Sequence, residues 1–368
     1  MNIFLPVQSI LYKFCIKPIF FLFPPENVHS FVTRLGEIAP HKLTSILYSP
    51  KKTVLTQNNF DMPFFSPIGL AAGFDYEARL MHILPLLGFG FHTVGTITYS
   101  PYIGNTKPRL GRLPLSKSLM VNKGFKNDGA KKTVKKIRSS HPLIPLGISI
   151  GKTNNINLTQ SESIKDIIKS FKVFEEELTS HSYYELNISC PNLKGRVNFY
   201  TPSKLNTLLT ALDELSISRP IFVKMPITLT NSQTDRLLHV ITNHKIKGVI
   251  IGNLQKDRKN NDLNKEELKK FPHGNFSGKP TFKRSNELIE MTYRKYGNKL
   301  LIIGCGGVFS AEDAYIKICL GATYIQLITG LIYNGPQLVH QINDDLQKYL
   351  EKDGYTNISE AVGSKVKF

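Results

Sequence analysis

Beyond residue 65 the chain alternates between two hydrophobic patterns. Eight short runs are almost continuously apolar and rich in β-branched residues: 68–73, 93–98, 146–151, 185–189, 220–224, 248–252, 301–304 and 324–329. Unbroken apolar runs of this length suit parallel strands covered on both faces. Between most of them lie segments with apolar residues at helical spacing, such as 161–178, 203–215 and 231–242. Eight strand–helix alternations predict a (β/α)8 TIM barrel, with a doubly wound sheet as runner-up. Two long connections, 99–127 and 254–283, are expected to hold loops or extra strands over the functional face.

The first fifty residues follow a different pattern. Pro6 is placed to open a helix with Val7, Ile10, Leu11 and Phe14 on one face, and Pro18 is expected to end it. A second helix is expected after Pro24 and Pro25, with Val28, Phe31, Val32 and Leu35 on one face. The proline-bracketed run 19–23 is far too short to span a bilayer, and no signal-peptide cleavage pattern follows it. With Lys13 and Lys17 nearby, this amphipathic pair suits a membrane surface, the alternative being a cap packed on the barrel. The expected organisation is thus a helical extension at 1–50 and a catalytic barrel at 51–368.

Composition changes this picture little. The 368 residues carry a formal net charge of +19, which favours anionic partners or reflects lysine-rich solvated faces. The four cysteines show no CxxC or Cys/His spacing, so no metal site is expected and a reducing cytosol is the default.

Candidate chemistry gathers at the C-terminal strand ends, where such barrels carry their active sites. The fourth strand runs into Asn187, Cys190 and Asn192, two amides and a thiol. Amides suit a planar polar heterocycle, and an accessible thiolate acts as base or nucleophile. A core thiol is the commoner meaning of a buried cysteine, and Cys305 and Cys319 are read that way. The flanking amides favour function for Cys190. Ala71, Ala72 and Gly73 would let a flat ring approach the backbone of the first strand. Lys224 ends the fifth strand, where it can neutralise an electron-rich ring, and Gly252 and Asn253 end the sixth. Gly306 and Gly307 on the seventh, with Thr329 and Gly330 on the eighth, match the usual barrel phosphate site. Ser310, with Glu312 and Asp313, reads as the cap of the helix that follows. Together these imply a phosphorylated cofactor with a flat ring, which FMN fits best.

From about Pro24 to the C-terminus, this ordered set resembles dihydroorotate dehydrogenase, an FMN-containing (β/α)8 barrel. The resemblance rests on residues 69–75, 95–98, 104–109, 187–192, 277–280, 304–307 and 329–330. It implies that Cys190 takes a proton from C5 of dihydroorotate while hydride leaves C6 for the flavin. It further implies that Asn187, Asn192 and Asn253 hold the pyrimidine. Lys224 is implied beside the reduced flavin, with Ala71, Ala72, Gly73 and Thr96 along the ring. Ser277, Gly278, Gly306, Gly307, Thr329 and Gly330 are implied at the ribityl phosphate. The family's flavin-facing Asn on strand three and Thr on strand six fall on Ser149 and Gly252. The N-terminal helices and the stretch 25–29 resemble the membrane-associated, quinone-reducing class, whereas the Cys base and the tail at 354–358 resemble the soluble class.

Two departures concern the substrate. The quinone class has a lysine where this chain has Tyr76, so another cation, Lys123 or Lys126, is expected to meet the substrate carboxylate. An ungapped alignment puts the family's substrate Asn on Val121, and a shifted loop would bring Asn122 in instead. The resulting expectation is a cytoplasmic enzyme of pyrimidine biosynthesis, held peripherally at the inner face of the cell membrane. It would use FMN, reduce quinone and bind no nucleic acid. Two alternatives stand beside it: a related FMN barrel acting on another dihydropyrimidine or enoate, and a flavoenzyme modifying RNA in the manner of dihydrouridine synthases.

Overall fold

The computed structural model describes residues 4–48, 50, 52–177 and 180–367. Eight parallel strands close into a barrel: β1 (Ile68–Leu70), β2 (Phe91–Ile97), β3 (Leu146–Ile150), β4 (Tyr183–Asn187), β5 (Ile221–Met225), β6 (Gly248–Ile251), β7 (Leu301–Cys305) and β8 (Tyr324–Leu327). They run in chain order round the barrel, with β8 paired to β1 in parallel register. All eight expected strands are present, and the doubly wound alternative is excluded by closure. The unbroken apolar runs arise because each strand lies between the barrel interior and an outer helix.

The outer helices match their sequence patterns. They include Gln160–Glu177, Pro202–Asp213 and Asn231–Ile241; Leu178, the expected end of the first, lies outside the described residues. Asn231–Ile241 begins at a capping box in which the Thr230 side chain and Gln233 satisfy each other's backbone N–H groups. At the N-terminal end of the barrel a hairpin of Gln57–Asn59 and Met62–Phe64 closes over an aromatic cluster. In that cluster the Phe64 ring lies 4.6 Å from the Tyr324 ring and 5.8 Å from that of Phe91.

The two long connections combine at the opposite end. Leu110–Leu113 and Ser118–Val121 form a hairpin, and Asn275–Gly278 pairs antiparallel with its second strand. Glu267 anchors this sheet by accepting hydrogen bonds from the Leu115 and Ser116 backbone N–H groups at 2.8 and 3.0 Å and from Ser116 Oγ at 2.6 Å.

The N-terminus departs from expectation at Pro18. Phe4–Leu11 (α1) runs through a π-helical turn, Tyr12–Ile16, into Lys17–Leu22 (α2). Lys17 N–H bonds back to the Tyr12 carbonyl, so Pro18 sits in the first turn of α2, where a missing N–H costs little. The short apolar run is therefore part of a longer helix. Leu5–Leu22 is the one helix among the described residues long and apolar enough to cross a membrane by length and composition. Pro25–Glu37 (α3) and His41–Leu47 (α4) follow.

These helices lie over the functional end of the barrel. Tyr12 Oη donates to the Ile332 carbonyl at 2.7 Å, and the Arg112 guanidinium stacks 4.6 Å from the Phe21 ring while donating to the Phe23 carbonyl. On α3, Gly36 passes so close to Leu80 that a Cβ would lie 2.3 Å from its side chain. The apolar stripe of α1 and α2 does not pack on the barrel: Phe14 is 75% exposed and Leu22 82%. Among the described residues, every large exposed apolar side chain apart from Ile103, Leu115 and Ile156 lies before residue 50.

Candidate active site

A cavity of about 640 Å³ opens at the C-terminal ends of the strands and continues between α2 and α3. Its size falls within the usual range for small-molecule sites. Of the expected site residues, Ala71, Ala72, Gly73, Thr96, Asn187, Cys190, Asn192, Lys224, Gly252, Asn253, Ser277, Gly278, Gly306, Gly307, Thr329 and Gly330 all line it. Asn122 and Ser149 do not. Ser149 is fully buried behind Thr96, their hydroxyls 2.9 Å apart. The Asn122 amide oxygen accepts from Asn105, while its neighbours Val121 and Lys123 reach the cavity.

The amides are held by a hydrogen-bonded chain that crosses the barrel. Asn187 donates to Thr96 Oγ1 at 2.8 Å and accepts from Ser189 Oγ at 2.9 Å, and Asn253 donates to Ser189 Oγ at 2.6 Å. Asn192 is fixed from the other side. Its amide oxygen accepts from Asn275 at 2.6 Å, and its backbone carbonyl accepts from Asn105 at 2.8 Å. Asn105 also accepts from Tyr102 Oη and from Asn154. Fixed rotamers of this kind preorganise a binding site. Ser189, Asn105, Asn154 and Asn275 were not singled out from the sequence. Asn105 lies within the quoted 104–109 motif, but an asparagine among loop residues carries no sign that its partners are 17 and 87 positions away.

Two groups carry the electrostatics. Burial pushes the Cys190 thiol up to about 11, against the opposing pull of the Asn192 backbone N–H and of Lys256, Lys152 and Lys224. Lys224, 4% exposed, lines the cavity, and its ammonium makes no hydrogen bond or ion pair among the described residues. A cation that faces the cavity in this way can receive an anionic group bound there. Near the cavity's second limb, burial pushes the His29 imidazole down to about 3, helped by Lys123. Its Nε2 lies 2.7 Å from the Phe74 carbonyl.

The cavity fits the phosphorylated flavin that the resemblance implies. Gly73 has φ 113°, and a Cβ there would project into the cavity with its nearest neighbour 3.9 Å away, space that a flat ring could fill. Gly278, Gly306 and Gly307 also have positive φ, at 83°, 114° and 74°, so their backbone takes a form that favours glycine. Ser277 and Thr329 share a 2.8 Å hydroxyl contact that ties the antiparallel sheet to the end of β8. Among the described residues no cluster of His, Cys, Asp or Glu could hold a metal ion.

Comparison with known proteins agrees with this geometry. The family model described as dihydroorotate dehydrogenase matches residues 54–350. A protein of Trichodesmium erythraeum named dihydroorotate dehydrogenase (quinone) is 36% identical over 333 residues, covering 86% of this chain and 85% of its own length. One of the same name from Christiangramia forsetii is 36% identical, covering 93% and 99%. The ligand-free crystal structure of DHODH from Eimeria tenella superposes with a TM-score of 0.81 at 26% identity, covering 94% of this chain and 100% of that one. Its complex with ferulenol gives 0.79 at 25%, with coverage of 92% and 95%. With fold, strand ends and relatives in agreement, the chain belongs to the dihydroorotate dehydrogenase family.

Proposed function

We propose that this protein oxidises dihydroorotate to orotate with bound FMN and passes the electrons to a membrane quinone, a step of pyrimidine biosynthesis. The observation that carries the reading is one cavity lined by Cys190, three fixed amides and Lys224, continuous with an apolar mouth at α2 and α3. When bound, FMN supplies the acceptor for the C6 hydride and for its onward passage as electrons to quinone.

The chain's own residues do the rest. Asn187, Asn192 and Asn253 meet the ring's imide and carbonyl groups, and their hydrogen bonds to Thr96, Asn275 and Ser189 keep them aimed. The Cys190 thiolate takes the C5 proton. Lys224 would supply a preplaced positive charge at the flavin site, the kind of group that stabilises developing anionic charge. Ala71, Ala72, Gly73 and Thr96 would line the ring, and Gly278, Gly306, Gly307, Thr329 and Gly330 would hold the phosphate end. Residues 1–50 act as the membrane- and quinone-contacting extension and 51–368 as the catalytic barrel. The exposed stripe of α1 and α2 supports peripheral attachment at the cytoplasmic face of the membrane.

The test is turnover by the purified full chain. Orotate should form from dihydroorotate in step with loss of a short-chain quinone, one for one. Orotate formation with dyes but never with quinone would remove the acceptor assignment; no orotate with any acceptor would remove the substrate.

A further inference from the structure

The cavity carries a second polar feature, on the loop that Asn105 ties to Asn192. The Lys123 ammonium lies 4.3 Å from the centroid of the Tyr76 ring, and that of Lys126 lies 5.4 Å from the same centroid. All three residues line the cavity. Neither ammonium makes a hydrogen bond or ion pair among the described residues. The carboxylates nearest in charge are already engaged, Glu26 with Arg109 at 3.5 Å and Glu77 with Arg79 at 2.6 Å.

A ring face attracts one cation, but two ammonium groups over one ring repel each other. An anion bound in the cavity against them would relieve both the repulsion and the lost hydration. The shelf beneath them is fixed. The Tyr76 ring stacks on His29 with centroids 5.3 Å apart and planes 11° from parallel. The turn before it is held by Asp75, which accepts from the Arg79 and Leu80 backbone N–H groups at 2.7 and 2.9 Å. The lysine loop is tied to the amides as well. Asn105 donates its backbone N–H to the Lys123 carbonyl at 3.2 Å and its side-chain amide to the Asn192 carbonyl.

We propose that Lys123, seated on the Tyr76 shelf and reinforced by Lys126, receives the carboxylate of the substrate and selects dihydropyrimidines that carry one. This rests on the dihydroorotate reading and deepens it. The cation comes from the loop after the antiparallel hairpin, and Tyr76 acts as its platform.

Orotate and orotamide, which has an amide in place of the carboxylate, are titrated calorimetrically into the holoenzyme. Wild type should prefer orotate. Lys123→Met should weaken orotate by about 10- to 100-fold, the usual effect of losing a charge-assisted hydrogen bond, with orotamide changed less than about twofold. Lys123→Arg should keep most of the preference, and Lys126→Met should cost less than Lys123→Met. Melting temperature and flavin content are measured on every variant, and an unfolded Lys123→Met leaves Lys123→Gln to be read in the same way. Orotate affinity unchanged in Lys123→Met, or equal losses for orotate and orotamide, overturns the assignment. Wild type that binds no orotate overturns the dihydroorotate reading instead, leaving the lysines with a different anion.

Discussion

Asn187, the last residue of β4, lies level with Lys224 on β5 in the parallel register of the barrel. A neutral amide already committed to Thr96 and Ser189 thus stands beside a cavity-lining lysine whose ammonium has no partner among the described residues. Lys224→Met should separate folding from cofactor binding. Because the side chain lines the cavity, its loss should change the melting temperature of the apoprotein little. The same change should weaken FMN binding and slow flavin reduction by about 100- to 1,000-fold, the range seen when a preplaced electrostatic group is removed. A lower apoprotein melting temperature with unchanged flavin affinity would show that Lys224 is paired some other way.

Cys190→Ala should retain FMN and slow anaerobic flavin reduction by about 100-fold or more, as loss of a general base does. Normal reduction in this variant would remove the base assignment.

The wild-type pH profile is a separate check on Cys190. Burial raises the thiol to about 11, so the protonated form dominates at neutral pH. The reactive thiolate then grows about tenfold per pH unit below that value. Stopped-flow bleaching should therefore accelerate with near-unit slope between about pH 7 and 9; a plateau reached below pH 8 would contradict it.

Asn105→Ala removes the side-chain amide that joins Asn122, Asn192, Tyr102 and Asn154, and leaves the backbone bond to Lys123 in place. Losing one to two such hydrogen bonds is worth about 1–2 kcal/mol, so orotate dissociation constants should rise about 5- to 30-fold. The limiting rate should fall less. An unchanged dissociation constant would mean that the amides hold position without it.

Phe14→Glu with Leu22→Glu places two carboxylates on the exposed stripe of α1 and α2 without touching the barrel. Burial of each side chain is worth about 1.5–3 kcal/mol, so vesicle affinity should drop by about 100-fold or more. Dye-linked oxidation should be unchanged. Equal cosedimentation with vesicles for variant and wild type would return the helices to a role as a cap.

The barrel was legible because its strands are local signals: each is a short unbroken apolar run, and closure follows from having eight of them. The strand-end residues were legible for the same reason, since position at a C-terminal end identifies a site without knowledge of contacts. Pro18 misled because a π-helical turn re-registers the helix ahead of it, a backbone adjustment that leaves no mark in residue type. Asn122 lies off the cavity because it follows the strand end at Val121 with its amide turned to Asn105, while Val121 and Lys123 on either side line the cavity. Asn105, Asn154 and Asn275 were invisible because their partners come from distant loops.

The most direct test is to add dihydroorotate to the oxidised, oxygen-free protein and follow its visible spectrum. The account predicts a yellow protein whose flavin absorbance bleaches fully on about one equivalent, with orotate released in equal amount. A flavin spectrum that dihydroorotate leaves unbleached would contradict it.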